Sequence, residues 1–75
     1  MKIQFTDVQY VKRCAERAVT FHNNNGWWSN SKAATCKDII NAADIALCKG
    51  GVVTLEQYEL TAIPLHIWQE EAKRK

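Results

Sequence analysis

Apolar residues recur along most of this chain at steps of three and four, the spacing of one helix face, and at steps of two in its first five residues. There Met1, Ile3 and Phe5 alternate with Lys2 and Gln4, a strand period over a run too short to stand alone. Thr6 lies three residues before Gln9. That is the spacing of a capping box, in which the threonine oxygen takes a free helix N–H and the glutamine reaches back, so a first helix is expected to begin here. From Asp7 to about Asn23, Val8, Val11, Ala15, Ala18, Val19 and His22 share one face, flanked by Cys14 and Phe21, while Arg13 and Arg17 point away from it. Asn23, Asn24, Asn25 and Gly26 end the helix, because asparagine and glycine best tolerate the left-handed conformation of a helix C-terminus.

A second helix is predicted from Ser31 or Thr35, either of which can cap it, to Lys49, where Gly50-Gly51 closes it. Its main face is Cys36, Ile39, Ile40, Ala43 and Leu47, with Ile45, Cys48 and Ala34 on other sides. A helix apolar on more than one side is expected to be the most buried element, its second face covered by another helix or by a second copy of the chain, which makes a homodimer one expectation. Val52-Val53 can meet the Ile3–Phe5 run as a ribbon reaching Thr54, and the Thr54–Gln57 spacing predicts a third helix starting near Leu55. Pro64 either kinks that helix or opens another. Leu55, Tyr58 and Ala62 form one stripe before it, and Leu65, Trp68 and Ala72 a second after it. Glu70 with Arg74 and Glu71 with Lys75 stand at i,i+4 and predict a solvated helix end.

The expected fold is therefore mainly α, a small three- to four-helix domain over residues 1–75 with room for a short two-stranded β ribbon. Seventy-five residues hold one domain, and a core so small must be nearly complete or finished by a partner. Ten Lys and Arg against eight Asp and Glu leave a net charge of +2, far from the dense positive field of a dedicated duplex-DNA binder. The cations concentrate in residues 1–50, with seven against four acids, whereas residues 51–75 have three against four. The odd number of cysteines, the lack of CxxC spacing and the lack of an apolar leader predict reduced thiols and a cytoplasmic location. Nothing approaches the roughly 20 apolar residues that span a bilayer.

Candidate chemistry is sparse. Cys36 and Cys48 are twelve residues apart on one predicted helix, about 18 Å along its axis, and cannot share an ion. No metal or cofactor is expected. Nothing local brings Cys14 or Cys36 to His22 or His66 as a nucleophile–base pair, and His22 on an apolar face reads as a core histidine. Neighbouring Glu70 and Glu71 diverge on a helix, and Gly50-Gly51 lacks the lysine of a phosphate loop. The Ala46–Leu60 segment has the outline of a helix-turn-helix, but Glu56 and Glu59 would repel phosphates where a recognition helix needs cations. An enzyme is not expected.

A surface remains. Trp27 and Trp28 stand in a loop with Asn25, Ser29 and Asn30, a composition suited to hydrogen bonding around a rigid aromatic anchor. Arg13 and Arg17, one turn apart beside Lys12, make a small basic ridge, and Lys32 follows the loop. The leading expectation is a small non-enzymatic binding protein that regulates or inhibits a larger protein or nucleoprotein complex by occluding a surface, an outline shared by viral and mobile-element inhibitors of host machinery. The alternative is a single-stranded nucleic-acid or nucleotide binder, with bases stacked on Trp27 or Trp28 and phosphates on Arg13, Arg17 and Lys32.

Overall fold

The computed structural model describes residues 2–24 and 30–73. Within them the order is β1 (Lys2–Phe5), α1 (Val8–Asn24), α2 (Asn30–Lys49), β2 (Val53–Glu56), α3 (Gln57–Ala62) and α4 (Leu65–Lys73). The fold is mainly α, with a two-stranded antiparallel ribbon as expected. No helix among the described residues is long and apolar enough to cross a membrane.

α1 follows its apolar spacing closely. Val8, Val11, Cys14, Ala15, Ala18 and His22 are buried, with Val19 and Phe21 half-buried at the margins. The cap differs from the Thr6–Gln9 reading. The Tyr10 amide donates to Asp7 Oδ1 at 3.1 Å, so Asp7 holds the first turn, where a carboxylate is also favoured by the positive end of the helix dipole.

α2 packs along α1 in the largest contact between any two elements. Its buried stripe is Ala33, Cys36, Ile39, Ala43 and Ala46. Small side chains on both helices let the backbones approach closely, and Ile39, fully buried, fills the middle of the seam. Leu47, expected on this face, is exposed, and Ile40 is half-buried, because alanines rather than larger residues define the contact. α2 is consequently not the most buried element. Ala34, Ile45 and Cys48 remain exposed, uncovered by another helix of the chain. Its end is a Schellman motif: Gly51 N–H donates to Ala46 O at 2.9 Å and Gly50 N–H to Leu47 O at 3.4 Å. Gly50 has φ +68°, a backbone region open to glycine at little cost.

The ribbon pairs Lys2 with Glu56, Ile3 with Leu55, Gln4 with Thr54 and Phe5 with Val53. Opposite residues share a face, so Ile3, Phe5, Val53 and Leu55 line the core side while Lys2, Gln4, Thr54 and Glu56 face out. The pairing carries β2 two residues beyond the predicted Thr54. α3 therefore begins at Gln57 instead of Leu55, and its first turn is closed by the Glu56 amide donating to Glu59 Oε1 at 2.9 Å.

Pro64 starts a helix rather than kinking one. Ile63 before it is extended at φ −97°, ψ 119°, as crowding by the proline ring requires, and the Pro64 carbonyl accepts the amides of Ile67 and Trp68. The stripes expected on either side of it are partly displaced. Ala62, Ile63 and Ile67 are buried, whereas Tyr58, Leu65 and Ala72 are exposed.

Candidate functional site

Four of the sequence-nominated site residues, Asn25, Trp27, Trp28 and Ser29, lie outside the described residues. Asn30 opens α2, and Lys32 is exposed in its first turn.

Arg13 and Arg17 are described fully, and the ridge they form is not a free cationic surface. Glu71 of α4 is 1% exposed and accepts Arg13 Nε at 3.3 Å and Arg17 Nη1 at 2.9 Å. Arg17 also donates through Nη2 to Glu70. A carboxylate withdrawn from water must be met by charge and hydrogen bonds, and two arginines one turn apart on α1 meet this one. The expected solvated end of α4 is thereby corrected: Glu71 points into the α1–α4 seam. Glu70 and then Glu71 bonding push the Arg17 guanidinium above its ordinary range. Lys12 is likewise engaged, 2.8 Å from Asp44 of α2, and that hydrogen bond raises its pKa.

The aromatic side chains around α4 fix its position. Trp68 stacks on Phe5 with centroids 5.5 Å apart and planes 8° apart, and its indole Nε1–H donates to Leu60 O at 3.3 Å. Tyr10 donates its hydroxyl to Trp68 O at 2.8 Å. Burial first, and the neighbouring Cys14 next, push the Tyr10 phenol up.

Cys14, Cys36 and His22 are buried, whereas Cys48 and His66 are exposed. Burial pushes the Cys14 thiol up to about 11, with the Glu71 charge adding to it, and burial alone does the same for Cys36. Both stay protonated at neutral pH and present no thiolate. His22, 4% exposed, places Nε2 2.7 Å from Ala62 O, and Cys36 Sγ–H points to the same carbonyl at 3.5 Å. This joins α1 and α2 to the end of α3; the second ring nitrogen of His22 has no partner. Among the described residues no three His, Cys, Asp or Glu side chains converge on a metal-sized site.

A recess absent from the sequence reading opens where α3 turns into α4. Leu60, Thr61, Ile63, Pro64, Leu65 and Trp68 line an open groove of about 440 Å³. Leu65, on its wall at the start of α4, is 69% exposed, and Tyr58 on α3 is 65% exposed. The turn is rigid, because proline fixes one dihedral and restricts the residue before it, while the indole bond to Leu60 ties its two sides together. Sequence periodicity puts Tyr58 and Leu65 in apolar helix stripes. The signal against that reading is Arg13 and Arg17, spaced to receive a carboxylate, which turns the Glu71 side of α4 inward and Leu65 outward.

No protein-family model matches the chain, and neither a curated protein nor a solved structure matches it at a significant level.

Proposed function

We propose that this chain is a non-enzymatic binding protein that regulates a larger protein by covering part of its surface, and that the α3–α4 face does the covering. The observation carrying the reading is the groove from Leu60 to Trp68 with Leu65 left mostly in water. A large apolar side chain exposed beside a preformed recess gives an apolar segment of a partner both an anchor and a seat. The engagement of Arg13 and Arg17 by Glu70 and Glu71 weighs against a phosphate backbone as ligand, since phosphates would have to displace carboxylates already in place. Burial of two unreactive thiols suits a reducing compartment, and we place the protein in the cytoplasm.

The test is a photo-crosslinking amino acid at position 65, with position 38 on the exposed side of α2 as control, in the cell that makes the protein. One protein joined at position 65 and not at 38 is the expected result. The same protein joined equally at both positions, or joined only at 38, contradicts the assignment.

A further inference from the structure

We propose that the chain self-associates through the outer edge of β1, forming a four-stranded antiparallel sheet in the order β2–β1–β1–β2 across two copies. This surface shares no residue with the α3–α4 groove. β2 is the element with which β1 makes its extended contact, and Lys2, Ile3 and Gln4 are exposed. No hydrogen bond from β1 to anything but β2 is formed among the described residues. The amides and carbonyls on that edge therefore have no partner among the described residues, the template onto which another strand adds. Ile3 is the second observation. It lies on the core side of the ribbon opposite fully buried Leu55, yet is 38% exposed, because the sheet stops at β1.

A second copy of β1 suits that edge better than an arbitrary strand. Antiparallel pairing about a two-fold axis perpendicular to the sheet keeps both core sides together only if residues of equal parity face each other. Centring on Ile3 meets this rule, with Ile3 opposite Ile3 and Lys2 opposite Gln4 of the second copy. The row Leu55–Ile3 of one copy then continues into Ile3–Leu55 of the other, four apolar residues across the sheet. On the opposite side no two lysines face each other, and each Lys2 keeps its own Glu56, 3.6 Å away. Centring on Gln4 would bring the bend at Thr6, where each chain leaves for α1, alongside Lys2 of the other copy. A slip by one residue would oppose Ile3 to Gln4 and break both rows.

Three paired residues per strand bury much less than the roughly 1,200–2,000 Å² of a standard interface, so the dimer is weak and concentration-dependent. Sedimentation equilibrium of the full chain, carried up to about 1 mM, where association of roughly 4 kcal/mol becomes visible, tests it. A reversible dimer is expected. Ile3→Lys puts an inward-pointing charge on the edge and should weaken it at least tenfold with unchanged helical circular dichroism, while Ile45→Lys on the exposed side of α2 leaves it intact. Facing residues of an antiparallel pair have Cα atoms about 4.5–5.5 Å apart, within disulfide range. Ile3→Cys combined with Cys48→Ser should accordingly form a cross-linked dimer on mild oxidation, and Thr54→Cys with Cys48→Ser should not. A parent that stays monomeric overturns the proposal, as does a dimer lost with Ile45→Lys and kept with Ile3→Lys. If Ile3→Lys does not fold, cross-linking through position 3 decides, and its absence in a folded protein overturns the proposal equally.

Discussion

Leu65 and Glu71 belong to the same nine-residue helix, and each occupies the surroundings usual for the other. Glu71 is 1% exposed and held by two arginines of α1; Leu65 is 69% exposed on the wall of an open groove. Stability alone explains the first side. Ile67, Trp68 and Glu71 fasten α4 onto α1 and the ribbon, and Arg13 and Arg17 make a buried carboxylate tolerable there. It does not explain the second, since a polar residue at position 65 would serve folding as well. The difference separates a side of α4 that holds the domain together from a side that is free to meet something else.

The sharpest way to break this comparison is to truncate each side in turn. Ile67→Ala should cost about 3 kcal/mol through lost burial and the cavity left behind, read as a lower urea midpoint. Glu71→Ala should cost about 2 kcal/mol, below the range for fully buried pairs, because the half-exposed arginines it strands can turn to solvent. If Glu71→Ala melts like the parent, the ion-pair seam does not fasten α4.

Alkaline titration probes the same buried side. Cys14 and Cys36 are pushed up from the ordinary 9.0 to about 11 in the fold, so the unfolded chain loses its thiol protons first. Their contribution is complete below the ordinary range and drains away as pH rises toward 11. Stability should fall by about 2 kcal/mol between pH 8.5 and 10, and a Cys14→Ala, Cys36→Ala variant should show a flatter profile in urea melts at stepped pH. Gly50→Ala, far from α4, should cost about 1 kcal/mol, from the positive φ alone, as no atom would crowd the new Cβ. Leu65→Ala should shift stability by less than about 0.5 kcal/mol. A loss near that of Ile67→Ala would make Leu65 a core residue after all.

The helices themselves were legible wherever local chemistry decides. The α1 stripe, the Gly50-Gly51 stop and the ribbon between the Ile3 and Val53 runs follow from period, glycine conformation and β-branched side chains. Legibility failed where a distant partner decides. The extension of β2 to Glu56 depends on Lys2 and Ile3 pairing with residues more than fifty positions away, which displaced the start of α3. The inward turn of Glu71 depends on arginines from another helix, which no spacing within α4 reveals. Its i,i+4 relation to Lys75 suggested a solvated end instead. The groove was hidden for the same reason, since Tyr58 and Leu65 carry helix-face spacing whether the face meets the core or a partner. The tryptophan loop that sequence composition singled out, residues 25–29, lies outside the described residues, and its role stands as an expectation.

The central claim is that the outer side of α4 serves binding and not folding, and a paired measurement on Leu65→Ser tests it most directly. Its melting temperature and its affinity for the protein cross-linked at position 65 are measured beside those of the parent. The account predicts a melting temperature within a degree or two of the parent, as for an exposed substitution, and affinity reduced at least tenfold, as for loss of an apolar anchor. A variant that melts like the parent and binds the partner equally well would contradict it.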